Sequence, residues 1–131
     1  MIVDSSALVA VIFREPGHEE IIAKLTGALL RVLQQQGTPI RASSAVVGHV
    51  WRDGRKQASL ARVLAGVGVE ALGKDDGQRI GELLAIAATA DVVDAHVALM
   101  TSPGDFVLTS DPADIRRLLR ARQVRARVQA V

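Results

Sequence analysis

The stretch Phe106-Val107-Leu108-Thr109-Ser110-Asp111-Pro112-Ala113-Asp114 contains a strand, a turn and the start of a helix in immediate succession. The run Phe106–Thr109 is apolar or β-branched throughout, which predicts a short buried strand. Asp111 is a good N-cap, because Pro112 would then occupy the first helical position and Asp114 would lie where a capping box places its second residue. A strand that leads directly into a helix indicates an α/β fold.

The same alternation of strand and helix runs through the whole chain. Short apolar runs predict strands at residues 1–4, 40–42, 67–72, Phe106–Thr109 and 124–128, the last resembling an edge strand. Helical spacing of apolar residues predicts helices at residues 5–13, 18–35, 45–52, 55–65, 75–88 and 91–100, and from 112 onward. This order predicts an α/β architecture with a mostly parallel sheet covered on both faces. With no repeat or linker, residues 1–131 are predicted to form a single domain.

The amino-acid composition limits the kinds of core, metal site and cellular compartment that this chain can have. Hydrophobic residues make up 49% of the chain but aromatic ones only 2%, so the core is predicted to be aliphatic. There is no cysteine, which excludes disulfides and thiolate metal sites and fits a reducing compartment. Asp4 interrupts the first apolar run and no basic segment precedes it, so no signal peptide is predicted. We therefore expect a cytoplasmic protein without membrane-spanning segments.

The net charge of +2 is small, but the basic residues are unevenly distributed. The C-terminal part carries Arg116, Arg117, Arg120, Arg122, Arg125 and Arg127, and a second basic stretch carries Arg52, Arg55, Lys56 and Arg62. Such clusters can follow a phosphate backbone, although a solvated helix face has the same composition. Either interpretation is compatible with the sequence.

Three acids lie where chemistry is expected in an α/β fold. Ligands of open α/β sheets bind beyond the carboxyl ends of the strands. Asp4 ends the first predicted strand and Asp111 follows the fourth, while Asp94 lies in the otherwise apolar stretch Val92–Val97. If the first and fourth strands are central neighbours, these acids would meet at one edge of the sheet.

Clustered carboxylates repel one another, and a divalent cation relieves that repulsion. Mg²⁺ and Mn²⁺ prefer oxygen ligands and can activate water for hydrolysis of a phosphodiester. Local roles compete with this hypothesis, since Asp91 and Asp111 are also natural helix N-caps. One carboxylate has two oxygens, however, so capping and metal binding are compatible.

Three motifs resemble those of a known family. The start Ile2-Val3-Asp4-Ser5-Ser6-Ala7-Leu8, with the break Glu15-Pro16-Gly17, resembles the opening of PIN domains in VapC-type toxins. Asp91-Val92-Val93-Asp94-Ala95-His96-Val97-Ala98 resembles the third acidic motif of the family, and Val107-Leu108-Thr109-Ser110-Asp111-Pro112-Ala113-Asp114-Ile115 resembles its closing strand–turn–acid motif. The order and spacing match over essentially the whole chain.

The resemblance implies a PIN-like three-layer α/β/α sandwich and an endoribonuclease that depends on Mg²⁺ or Mn²⁺. It implies Asp4, Asp94 and Asp111 as catalytic metal ligands, with Asp91 as a further candidate ligand and Asp114 as an assisting residue. It also implies a cognate antitoxin protein and frequent homodimers. In this setting Arg52, Arg55 and Lys56 become candidates to hold the phosphates of the RNA substrate.

One position departs from the family pattern. Such domains commonly carry a Glu on the helix after the second strand, and this chain has His49 there. His49 is then a ligand or substrate contact, a neutral replacement beside a working site, or the sign of a crippled site. Imidazole can bind Mn²⁺ but suits Mg²⁺ poorly.

Other functions remain as alternatives. The first is a PIN-like module that binds RNA or protein and has a weakened metal site. The second is a phosphoryl-transfer protein. A dehalogenase-type phosphatase would need an acid at position 6, which is Ser6, and a receiver domain would need a lysine on the final strands, where the chain has none.

Overall fold

The computed structural model describes residues 2–3, 35, 37, 39–53, 61, 64–109 and 111–130 of the chain. The predicted helices at residues 5–13 and 18–35 lie outside this part except for Gln35, and most of the one predicted at 55–65 does so as well. Asp4, Arg55 and Lys56 also lie outside the described residues.

The described strands form one five-stranded sheet. The strands are β1 (Ile2–Val3), β2 (Arg41–Ser43), β3 (Gly68–Glu70), β4 (Phe106–Thr109) and β5 (Arg127–Ala130). Their order across the sheet is β3-β2-β1-β4-β5, and each neighbouring pair is parallel. The predicted α/β class with parallel strands is therefore confirmed, and the first and fourth strands, whose neighbourhood the sequence left as a condition, lie side by side.

Four described helices connect or follow these strands. They are α1 (Ser44–Val50), α2 (Lys74–Ala87), α3 (Val92–Met100) and α4 (Pro112–Ala121). Ser43, Asp91 and Asp111 each accept a hydrogen bond from a backbone N–H of the helix that follows, as predicted for Asp91 and Asp111. A short polar residue before an apolar run of helical spacing therefore marks the start of each of these helices, because capping is a local interaction.

Burial follows the position of each strand in the sheet. In β4, Val107, Leu108 and Thr109 are all buried, as expected for a central parallel strand that is covered on both faces. In the edge strands β3 and β5, the side chains are exposed or half-buried. Helix α3 is buried at every position from Asp94 to Ala98, which places this helix inside the molecule.

The last strand begins three residues later than its apolar–basic alternation predicts. The difference arises because Val124, the first residue of the predicted strand, takes part in the hydrogen bonding that ends α4. Gln123 adopts a left-handed conformation with φ of 56°, and the N–H of Val124 donates to the carbonyl of Leu119 at 3.0 Å. This bond satisfies an end carbonyl of the helix, so the chain is extended only from Arg127.

Two arginines join neighbouring elements of the fold. The Arg41 guanidinium donates to Glu70 at 2.8 Å and to Asp105 at 2.9 Å, linking β2 with the edge strand and with the turn before β4. The Arg122 guanidinium donates to the carbonyls of Ala98 and Thr101 at the end of α3. Burial, and then the positive charge of Arg79, lowers the pKa of Arg122.

Within the described residues, no single helix has the length and apolar character needed to cross a membrane. The pair α2 and α3 meets that test together, but the two helices are bent by 103° at the break between them.

Substitution of Arg41 tests its ion pairs with Glu70 and Asp105. Arg41→Met keeps most of the alkyl chain but removes the guanidinium that contacts Glu70 and Asp105. Both pairs are partly exposed, so after solvent screening we expect a loss of about 1–2 kcal/mol in the free energy of unfolding. Urea denaturation followed by circular dichroism measures this change.

The matched control is Arg79→Met, which makes the same change where the guanidinium lies 3.9 Å from Asp76 on an exposed helix face. This loose pair should contribute less than about 0.5 kcal/mol. Equal losses in the two variants would show that the Arg41 network does not stabilise the fold.

Candidate metal centre

The candidate site is built from the starts of two helices. Asp91 caps α3 by accepting the N–H of Asp94 at 3.0 Å, and Asp111 caps α4 by accepting the N–H of Asp114 at 3.2 Å. Asp111 follows the carboxyl end of β4, where an α/β sheet is expected to bind ligands. The caps therefore fix the positions of Asp94 and Asp114 in the first turns of their helices.

Three carboxylates converge at this edge of the sheet. Asp94, Asp111 and Asp114, called the acidic cluster below, each offer an oxygen, and these oxygens all lie within 4.8 Å of one another. Asp94 is buried with 7% of its surface exposed, Asp114 is half-buried and Asp111 is exposed. The cluster thus has a buried side and a side that a substrate can reach.

Two threonines help to hold the acidic cluster in place. Thr89 Oγ1, in the connection between α2 and α3, donates to a carboxylate oxygen of Asp114 at 2.9 Å. Thr109 Oγ1, at the end of β4, accepts the backbone N–H of Asp111 at 3.1 Å. The first bond orients the carboxylate of Asp114, as metal ligands are usually oriented by their neighbours, and the second fixes the backbone of Asp111.

The donor set of the acidic cluster fits a hard divalent cation. Mg²⁺ and Mn²⁺ bind oxygen ligands, and Mg²⁺ typically combines one or two carboxylates with several waters. Three negative charges this close repel each other, and a divalent cation would relieve that repulsion. Three carboxylates, one of them exposed, supply enough oxygens while leaving room for water and substrate.

The structure places the predicted site residues in three groups. Asp94 and Asp111 come together, and Asp114, predicted only to assist, joins them. Asp91 caps α3 and is not a member of the acidic cluster. A third group, namely Asp4, Arg55 and Lys56, lies outside the described residues, so the roles of these residues stay predictions.

Two predicted contacts lie on or just after α1. His49 is exposed and is not a member of the acidic cluster, so its three alternative roles stay open. The Arg52 guanidinium donates to the carbonyls of Gly48 and Trp51 at the end of α1, at 2.8 and 2.6 Å. Its predicted role in RNA binding stays a prediction, and these bonds give Arg52 a local role as well.

A buried polar pair was not anticipated from the sequence. Ser43 Oγ and His96 Nδ1 are hydrogen-bonded, and both residues are buried. Ser43 ends β2 and also accepts the N–H of Ala45 at 3.0 Å, while His96 lies on α3 two positions after Asp94. The pair therefore ties the end of β2 to the helix that carries a buried acid of the cluster.

A signal for this pair was present in the sequence. His96 lies in the same apolar stretch as Asp94, and a buried imidazole needs a hydrogen-bond partner just as a buried carboxylate does. The partner itself lies 53 positions away in the chain, so only the fold reveals that it is Ser43. Thr89, the partner of Asp114, carried no such signal.

No known protein-family model matches this chain, and no curated protein sequence matches it.

Metal binding is the first property to test at the acidic cluster. Mn²⁺ or Mg²⁺ at about a hundred times its Kd should stabilise the protein by ~2.7 kcal/mol. For a domain of this size that is a rise in Tm of roughly 5–10 °C. Asp94→Asn keeps the shape of the side chain but removes one charged ligand, so the metal-dependent rise measured by calorimetry should disappear.

The control for this test is Asp75→Asn, because Asp75 is exposed in the first turn of α2 and lies outside the acidic cluster. It should keep the full metal-dependent rise. If Asp94→Asn shows the same rise as the unmodified protein, metal binds elsewhere.

Substitution of Ser43 tests the buried pair. Ser43→Ala removes both the cap of α1 and the partner of His96 Nδ1. Loss of the cap costs about 1 kcal/mol, and an unpaired buried imidazole nitrogen costs about 1–3 kcal/mol more. The free energy of unfolding should therefore fall by roughly 2–4 kcal/mol, as measured by urea denaturation.

Ser44→Ala is the matched control, because the bond that Ser44 Oγ accepts from the N–H of Leu72 at 3.1 Å is exposed. It should cost clearly less than Ser43→Ala. Similar losses would indicate that His96 finds another partner when Ser43 is removed.

Proposed function

We propose that this chain is a divalent-metal-dependent endoribonuclease with a PIN-like fold, acting as the toxin of a toxin–antitoxin pair. The observation that carries this proposal is the acidic cluster, in which oxygens of Asp94, Asp111 and Asp114 lie within 4.8 Å of one another. The cluster lies at the carboxyl end of β4, a central strand of a parallel sheet. Hydrolysis of a phosphodiester is the chemistry that such a site serves best.

The sheet supports the finer description of the fold. The PIN resemblance requires the first and fourth strands to be central neighbours, and β1 pairs with β4 through Ile2 with Val107 and Val3 with Leu108. The burial of β4 on both faces supports a three-layer α/β/α sandwich. Asp4 directly follows β1 in the sequence, and we propose it as a further acid of the same site.

The residues of the cluster take distinct roles in this proposal. Asp94, buried on α3, and Asp111 and Asp114, at the start of α4, would hold the cation. A bound Mg²⁺ or Mn²⁺ would lower the pKa of a bound water and stabilise the charge that develops on the phosphate. Thr89 and Thr109 keep Asp114 and Asp111 in position, and the exposed side of Asp111 leaves access for the RNA strand.

The biological setting is proposed from the motif resemblance. An antitoxin protein would bind the chain and inhibit it, and two copies of the chain would form a homodimer. Arg52, Arg55 and Lys56 would contact phosphates of the RNA substrate. The exposed position of Arg52 after α1 is compatible with that role.

A second candidate function follows from His49. This residue stands where the family carries a Glu, and it is exposed and not a member of the acidic cluster. A site with one acid fewer could bind metal too weakly for catalysis, and the chain would then be a PIN-like module that binds RNA or protein. Divalent-metal affinity that disappears with Asp4→Ala favours the nuclease over this alternative.

The decisive experiment is cleavage of a structured RNA pool by purified protein in Mg²⁺, Mn²⁺ or EDTA. The variant to compare is Asp111→Asn, because Asn caps a helix as well as Asp does but lacks the charge of a metal ligand. We expect cleavage only with metal, and a loss of at least about 100-fold in rate for Asp111→Asn, corresponding to roughly 3 kcal/mol of lost stabilisation.

Asp75→Asn is again the control, and it should cleave like the unmodified protein. Cleavage that continues in EDTA or survives Asp111→Asn would contradict the proposed nuclease. A folded protein that binds RNA without metal-dependent cleavage would support the binding module instead.

A further inference from the structure

A pocket of about 270 Å³ lies between the second half of α4 and β5, at the edge of the sheet. Its lining combines guanidinium groups with apolar side chains, namely Arg116, Arg120 and Arg125 with Leu119, Val124 and Val128. We call this the α4–β5 pocket. No carboxylate takes part in the lining, so the local charge is strongly positive.

The arginines of the pocket are organised by the helix and the edge strand. Arg116 and Arg120 are four positions apart, so they lie on the same face of α4 and are separated by ~6 Å along its axis. The guanidinium of Arg116 donates to the carbonyl of Val128 at 3.1 Å, which orients it at the edge of β5. Within the described part of the chain, Arg120 and Arg125 form no ion pair with a carboxylate.

The pocket is separate from the acidic cluster although both involve α4. Asp114 and Arg116 are two positions apart, which corresponds to a rotation of about 200° round the helix axis. Asp114 contacts Thr89, in the connection between α2 and α3, whereas Arg116 contacts β5. The two groups of opposite charge therefore lie on different sides of the same helix.

We propose that the α4–β5 pocket binds a phosphate group, either of the RNA backbone or of a free phosphate. Guanidinium groups donate paired hydrogen bonds whose planar geometry matches phosphate oxygens. Close positive charges repel one another, and an anion bound between them would remove that repulsion. The apolar wall of Leu119, Val124 and Val128 suits the face of a sugar or base attached to the phosphate.

The size of the pocket favours one phosphate with part of a nucleotide. Pockets for drug-sized ligands usually exceed ~300 Å³, so a volume of about 270 Å³ is small for a complete cofactor. The three arginines are exposed, which lets a chain enter and leave. Binding of the RNA backbone in this pocket rests on the proposed ribonuclease function. Binding of a phosphate group as such does not depend on that function.

The test measures binding of a fluorescein-labelled single-stranded RNA to the full chain in EDTA, over a range of salt concentrations. Arg120→Ala and Arg125→Ala should each weaken binding, and each should reduce the slope of log affinity against log salt by about 0.7. The control is Arg117→Ala, which removes the same charge from an exposed position of α4 outside the pocket. It should change the slope and the affinity much less.

A second arm distinguishes the source of the phosphate. Inorganic phosphate is titrated into isotope-labelled protein while the side-chain N–H signals of Arg116, Arg120 and Arg125 are compared with that of Arg117. Selective shifts of the pocket arginines with unchanged RNA affinity in the variants would support a pocket for free phosphate. Selective loss of RNA affinity in the pocket variants would support the RNA backbone.

Two results would overturn the proposal. The first is equal weakening by Arg117→Ala and the pocket variants, which would indicate diffuse attraction by the whole helix. The second is the absence of any effect on RNA affinity together with no selective shifts in phosphate. Because RNA binding is measured in EDTA, failure here is distinguishable from failure of metal-dependent cleavage, and unfolding curves of each variant verify that it is folded.

Discussion

The parallel pairing of β1 with β4 is the contact on which the arrangement of the candidate site depends. Ile2 lies beside Val107 and Val3 beside Leu108, so the N-terminal strand and a strand a hundred positions later end at the same edge of the sheet. Parallel strands need crossover connections, and these place helix starts at that edge. Asp111 is at one such start, which explains why an acid with an ordinary capping role also faces a shared site.

The acidic cluster shows how local and distant constraints combine. Capping fixes Asp111 and orients Asp114 relative to it, because both act within one turn of α4. Asp94 comes from α3, and burial of that helix brings its carboxylate to the other two. Such a concentration of negative charge is unfavourable for the fold alone, and a bound cation would relieve the repulsion.

Charge is separated along α4. Its first turn carries the acids, and its later turns carry arginines on the side of β5. Acids near the start and basic residues near the end both complement the helix dipole. The charge pattern alone would therefore be equally typical of a solvated helix without a binding site. The tertiary structure adds to it the contact of Asp114 with Thr89 and of Arg116 with Val128, which direct the two groups to different sides.

The sequence by itself determined the α/β class, the starts of α3 and α4 and the bounds of β4, because caps and short apolar runs act between neighbouring residues. Strand order, the partner of His96 and the membership of Asp114 in the cluster were decided only by the tertiary structure. Each depends on residues far apart in the chain, such as Ser43 and His96. Even the start of β5 depended on the hydrogen bond from the N–H of Val124 to the carbonyl of Leu119, which ends α4. The alternating pattern of side chains does not predict this bond.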